Sequence, residues 1–227
     1  MNTPASRAPE TAITPIAGGT LWYQGVGKCL LSYFRDVQLT HEGLELIFFV
    51  DGLPLYKGSR SQLWPILMQV HNVPNTPVMT VAIFWGESKS LILEEFLDQF
   101  VDEMNHLFMN GLIIGNRFYW VASRAIIADA PARAFIKGVK GHNAYSGCQK
   151  CTIVGELHGH RMYFAYDAER QPRKHSDFCD GKYPTHVNKR TPLTRLLGCD
   201  IEADFVSAED MHLLYKGVEA KLIDLWI

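Results

Sequence analysis

Two aspartates end the two most strand-like apolar runs of the chain. Residues 44–50 (LELIFFV) run into Asp51-Gly52, and residues 118–128 run into Asp129, just before Ala130-Pro131. Carboxylates at neighbouring strand ends suit Mg²⁺ or Mn²⁺, hard ions that prefer oxygen ligands. Two such ions about 3.5–4 Å apart can clamp the attacking and leaving oxygens of an in-line phosphoryl displacement. Both residues also have ordinary structural readings. Asp51 can open an Asp-Gly turn, and Asp129 can cap a helix that starts at Ala130 with proline in its first turn.

Cys148-Gln149-Lys150-Cys151 follows a glycine, Gly147, that suits a knuckle turn. Such a pair is either half of a zinc site or a redox couple. Its further ligands are open among His158, His160, His175 and Cys179. His142, just upstream, reads as a surface histidine or as part of an active site. Glu209 and His212, three apart, share one face of an expected helix near the C-terminus. They either approach the metal site or, for the acid, simply favour a helix N-terminus through its dipole. Arg133, Lys137 and Lys140 follow the second aspartate and are candidate nucleic-acid contacts, with a solvated basic surface as the equal alternative.

These residues need elements to hold them. Strands are expected at residues 45–50, 63–72, 78–85 and 116–129. Between the third and fourth strands, residues 91–112 carry Leu93, Phe96, Leu97, Phe100, Met104, Leu107 and Phe108 at steps of three and four, with acids on the other face. That spacing predicts an amphipathic helix packed on the sheet, with Ser90 as its cap and Gly111 and Gly115 at its end. Residues 130–139 form a short helix. The order strand–strand–strand–helix–strand, with an acid ending the first and fourth strands, is that of a ribonuclease-H-like fold. The expected class is therefore α/β: a mixed sheet with flanking helices, plus a Cys/His-containing insertion.

The chain divides, on this reading, into a disordered lead (1–19), the first part of the core (20–141), a polar Cys/His-rich insertion (142–206) and a C-terminal helix (207–227) with Ser207 and Asp210 as a capping box. The helical pattern reaches the last residue without a stop signal, so the core is expected to continue in longer relatives. With 227 residues, 47% hydrophobic and 20% charged, an ordinary core is expected. A net charge of −2 excludes a globally basic nucleic-acid binder. Residues 61–86 lack Asp, Glu, Lys and Arg but hold three prolines and several polar side chains, which argues for strands and against a membrane span. No secretory pattern opens the chain, and its five cysteines, an odd number, point to a reducing compartment.

Three blocks carry a resemblance: DGLPLYKGSRSQLWPIL, then ADAPARAFIKGVKGHNAYSGCQKC, then SAEDMHLLYKGV. In this order they resemble the catalytic region of CACTA (En/Spm-like) DNA transposases, over roughly residues 43–226. The resemblance implies a ribonuclease-H-like core that cuts and joins DNA with acidic residues and Mg²⁺ or Mn²⁺. Asp51 and Asp129 match the first two catalytic acids, and Cys148 and Cys151 match the family's cysteine pair. Glu209 stands where the family more often has Asp in its acid-x-x-His element, with His212 as the histidine. The family's third acid would lie on a later helix; Asp210, Glu219 and Asp224 are poor substitutes by position. The implied partner is transposon-end DNA in the nucleus; the oligomeric state is left open, with a homo-oligomer as one alternative, and Zn²⁺ is the cofactor suggested for the cysteine pair. The competing expectation is an inactive, domesticated or remnant domain that binds nucleic acid or protein without cutting.

Overall fold

A computed structural model describes residues 13–37, 39–206, 215–217 and 219–226. It is a mixed α/β structure whose central sheet, among the described residues, holds nine strands. The chain enters through a hairpin, β1 (Ile13–Ile16) and β2 (Gly19–Tyr23), and then helix α1 (Val26–Phe34). β3 (Gly43–Val50), the short β4 (Leu53–Pro54), β5 (Gln62–Val70) and β6 (Met79–Gly86) follow. Helix α2 (Leu93–Asn110) leads to β7 (Leu112–Ile114), β8 (Arg117–Ala128) and helix α3 (Ala130–Ile136). After a small hairpin, β9 (Glu156–His158) and β10 (Arg161–Tyr163), come α4 (His175–Cys179), a 3-10 turn (Pro192–Arg195), β11 (Phe205–Val206) and α5 (Ala220–Trp226).

The sheet order is β1-β2-β6-β5-β3-β8-β11. β6, β5 and β3 are antiparallel neighbours, whereas β8 runs parallel to β3 and β11 parallel to β8. Alternation along β3 explains its two faces. Leu44, Leu46, Phe48 and Val50 are buried, while Glu45, Ile47 and Phe49 are only half covered. A strand with period-two packing shows one face to each side. The buried face meets α2, where the Phe48 and Phe100 rings sit edge to face 4.9 Å apart.

The expected stripe on α2 is the buried one: Leu93, Phe96, Leu97, Phe100, Met104 and Leu107 are all in the core, with Phe108 packed at its edge. Its acids are used. Glu94 and Glu95 lie in the first turn, where the helix dipole favours them. Asp98 and Asp102 pair with Arg195, which docks the 3-10 turn on the outer face. Glu103 does the work of a cap for another helix. α1 begins after Gly25 without a side-chain cap of its own. The Glu103 carboxylate accepts from Val26 N (2.9 Å), Gly27 N (3.0 Å) and the Tyr23 hydroxyl (2.6 Å). Glu103→Ala leaves those backbone donors unmatched, so thermal denaturation should show a loss of about 2 kcal/mol, with Glu103→Gln costing less.

Several expectations need correction. Residues 13–19 are not an unstructured lead: Ile13 to Ile16 pair with Trp22 to Gly19 as the outermost strand. Pro15 obscures that strand in the sequence, and an edge position is where a sheet tolerates proline. Ser90 is not the cap of α2. The helix starts after Ile92, and the Ser90 hydroxyl donates to the carbonyls of Ile92 (2.9 Å) and Ala17 (3.4 Å). The stretch 142–206 is not wholly an insertion. Leu193, Leu196, Cys199, Ile201 and Phe205 join the main core, and residues 205–206 add β11 to the sheet. Two-residue strands give too short a pattern to read from sequence. Within the expected C-terminal helix, α5 is helical and buries none of its side chains, while Ser207, Glu209, Asp210 and His212 lie outside the described residues. Among the described residues no helix is long and apolar enough to cross a membrane.

Candidate functional site at the carboxylate edge of the sheet

The parallel pairing of β3 and β8 sets the geometry. Val50 is level with Ala128, so Asp51 and Asp129 each stand one residue beyond a matched pair. Adjacent strands lie about 4.8 Å apart, which makes the two residues neighbours at one sheet edge. The level match depends on an irregularity: Leu46 pairs with Ser123 but Ile47 with Ala125, so Arg124 is an extra residue in β8. Without that shift Asp51 would be level with Ala128, and Asp129 one step further out. Bulges of this kind re-aim strand ends beside active sites. The extruded Arg124 turns outward to Glu45, 3.5 Å away.

Each aspartate also has the structural job its sequence context suggested. Asp51 Oδ1 accepts from Gly52 N at 2.7 Å. Asp129 is the N-cap of α3, with Oδ1 accepting from Ala132 N at 2.7 Å. Capping aims the helix N-terminus, and its partial positive charge, at the same edge. Gly52 is required by a close approach: a Cβ there would meet the Trp64 ring at 2.6 Å. Trp64 in turn packs edge-on against Phe135 of α3, centroids 4.9 Å apart. One indole therefore ties the turn after Asp51 to the helix after Asp129.

The basic candidates separate. Arg133 Nε donates to Gln149 Oε1 (2.9 Å), and its Nη1 to the carbonyls of Ala128 (3.0 Å) and Val206 (2.9 Å). It staples the ends of β8 and β11 to the loop that holds the cysteines. Lys137 is 1% exposed and pairs with Glu202 at 3.1 Å, so it belongs to the interior and not to a nucleic-acid surface. The sequence hid this, because a lysine just past the end of a short helix reads as solvated. Lys140 is half-buried, and its backbone N donates to His186 O at 2.9 Å. His142 is exposed on the turn after Lys140, past the end of α3 remote from Asp129.

Cys148 and Cys151 are brought together, Sγ to Sγ 3.3 Å. Burial alone would push the Cys148 thiol up. Backbone donation from Lys150, contact with Cys151 and the nearby Arg173 guanidinium outweigh it and hold the thiol below its ordinary value. Burial and the neighbouring sulfur push Cys151 the other way. Of the expected further ligands, His158 and His160 are exposed on the β9–β10 hairpin, where His158 contacts Glu156. His175 Nε2 meets Cys179 at 3.4 Å, and His175 Nδ1 accepts from Ile201 N. Among the described residues no three His, Cys, Asp or Glu side chains gather as a metal-binding group.

His186 was not singled out from the sequence, where a lone histidine carries no spacing signal. It is fully buried, with Nδ1 2.7 Å from the Ser146 carbonyl and Nε2 without a hydrogen-bond partner. It therefore buttresses the segment just before Cys148. Burial, against the pull of the Ser146 carbonyl and aided by Arg173, Lys137 and Lys140, lowers its pKa to about 4. A lowered folded value means a neutral ring is favoured in the fold. Its contribution is complete above the unfolded value near 6.5 and is lost as pH falls from about 6.5 to about 4, amounting to about 3 kcal/mol. Denaturation at pH 7 and pH 4 should show His186→Gln losing part of the parent's acid sensitivity.

No family model, curated protein or solved structure matches this chain.

Proposed function

We propose that this chain is a transposase-derived, metal-dependent nuclease and strand-transfer core of the ribonuclease-H-like type. One observation carries the reading: the shifted β3–β8 register sets Asp51 and Asp129 level at adjacent parallel strand ends. The strand order β6-β5-β3-β8-β11, three antiparallel then two parallel, supports the same fold type. So does the resemblance of the three sequence blocks to CACTA transposases.

The two carboxylates fit a hard divalent cation by charge and donor type. Bound Mg²⁺ or Mn²⁺ would supply Lewis-acid stabilisation of the charge that develops at phosphorus. Asp51 and Asp129 would hold it, and Asp129 would do so while fixing the start of α3. Glu209 and His212 stay candidates for the same site. The proposed substrate is DNA, cut by water and then joined through the liberated 3′-hydroxyl, in the nucleus. Cys148 and Cys151 are proposed as a Zn²⁺ half-site that braces the loop against Arg133 through Gln149.

Incubation with supercoiled plasmid and Mn²⁺ tests this: the parent should nick it and Asp129→Asn should not. The second reading is a domain that binds DNA or protein without cutting. The lack of a third metal donor beside the aspartates among the described residues favours it. Equal DNA binding by parent and Asp129→Asn, with no nicking by either, would select it.

A further inference from the structure

The turn after Asp51 exposes more apolar surface than a connection of its size needs. Leu53, Leu55 and Tyr56 are 47%, 48% and 69% exposed. Lys57 and Arg60 beside them are also exposed, and residues 52–61 contain no acid. In a chain of net charge −2 this is a locally cationic spot with an aromatic ring at its centre.

The turn is preformed. Leu53 and Pro54 pair with Leu63 and Gln62. Leu55 N donates to Ser61 O (3.1 Å) and Ser59 N to Tyr56 O (2.9 Å). Ser59 Oγ accepts from Ser61 N at 3.0 Å. Gly58, at φ +83°, has the left-handed backbone that closes the turn. Ordering cost on binding is therefore small. The turn leaves the same sheet edge as Asp51 and Asp129, so a strand whose phosphodiester reached those carboxylates would pass it.

We propose that residues 53–60 form a contact for single-stranded nucleic acid, with Tyr56 stacked on an unpaired base and Lys57 and Arg60 on the flanking phosphates. The proposal rests on the nuclease reading for its substrate class. Aromatic faces flanked by cations bind strands with little regard to sequence, because every base offers a π-face. A duplex hides those faces in its stack, so the geometry selects unpaired nucleotides. The same side chains have a second candidate occupant, an anionic lipid surface. The adjoining carboxylate pair favours the nucleic acid.

Fluorescence anisotropy with a short mixed-sequence oligonucleotide, single-stranded and as its duplex, tests the contact on the full chain in EDTA. The single strand should bind more tightly than the duplex. Tyr56→Ala should weaken it on the order of tenfold, and Tyr56→Phe should not. Lys57→Ala/Arg60→Ala should flatten the slope of log affinity against log salt by about 1.4, at about 0.7 per phosphate contact. Three results would overturn the proposal: no single-strand binding by the parent, Tyr56→Ala binding unchanged, or Tyr56-dependent binding to phosphatidylserine vesicles and not to the oligonucleotide. Because EDTA removes any cation, failure of the metal reading shows separately. In that case binding by Asp51→Asn and parent persists and responds to Tyr56, while plasmid nicking is absent from both.

Discussion

In a calorimetric titration with Mn²⁺ at neutral pH, the parent chain should give a binding isotherm that Asp51→Asn and Asp129→Asn both lack. Each substitution removes one negative charge and keeps the side-chain shape. The Asp129 pair of variants separates metal binding from folding. Asn caps a helix about as well as Asp, so Asp129→Asn should keep α3 and the parent's stability. Asp129→Ala should lose the cap as well, at about 1 kcal/mol. A structural role alone predicts the opposite pattern: the isotherm is unmoved, or absent from a folded parent, and only the alanine variant shows an effect, in stability. Loss in one asparagine variant but not the other would break the pairing on which the proposed site depends.

The parts of this site that could be read in the sequence are those with long, repetitive patterns. β3, β5, β6 and β8 are eight to twelve residues of apolar or β-branched character, and α2 repeats its apolar positions over eighteen. Such runs state both the element and the face it buries. Asp51 and Asp129 were visible because they interrupt these runs. Their level alignment was not, since it depends on one extra residue, Arg124, inside an unbroken strand pattern. β1, β4 and β11 were illegible because strands of two to four residues are fixed by the pairing partner and not by their own pattern. Glu103 as a remote cap, and His186 as the prop beneath the cysteine loop, involve residues 76 or 77 and 40 positions apart. No local spacing rule reaches so far. Lys137 was misread for a related reason. Sequence shows a cation four residues after Arg133 and three before Lys140, and only the tertiary fold shows that the middle one faces Glu202.

Breaking that buried pair should be the most destabilising change in the chain outside the apolar core. Lys137→Ala or Glu202→Ala should each cost about 3–5 kcal/mol in urea denaturation, because each strands one charge in the interior. Replacing both, as Lys137→Met with Glu202→Leu, should cost far less and leave a strongly favourable coupling in the double-mutant cycle. The direction of both titrations explains why. Burial lowers the Lys137 pKa and raises that of Glu202, against the attraction each feels from the other. Desolvation therefore opposes the mutual attraction, which is why replacing both residues should cost less than stranding either one. Sign follows from linkage. The fold holds a proton on Glu202 more tightly than the unfolded chain does, so this group adds stability as pH falls from the folded toward the unfolded value. What the pair specifies is a junction. Lys137 ends α3, Glu202 precedes β11, and the Lys150 ammonium from the cysteine loop donates to the Glu202 carbonyl at 2.5 Å. Three segments that frame Asp129 meet at that one carboxylate residue. Additive single-variant costs in the cycle, with no coupling, would show that the end of α3 and the segment before β11 are held independently.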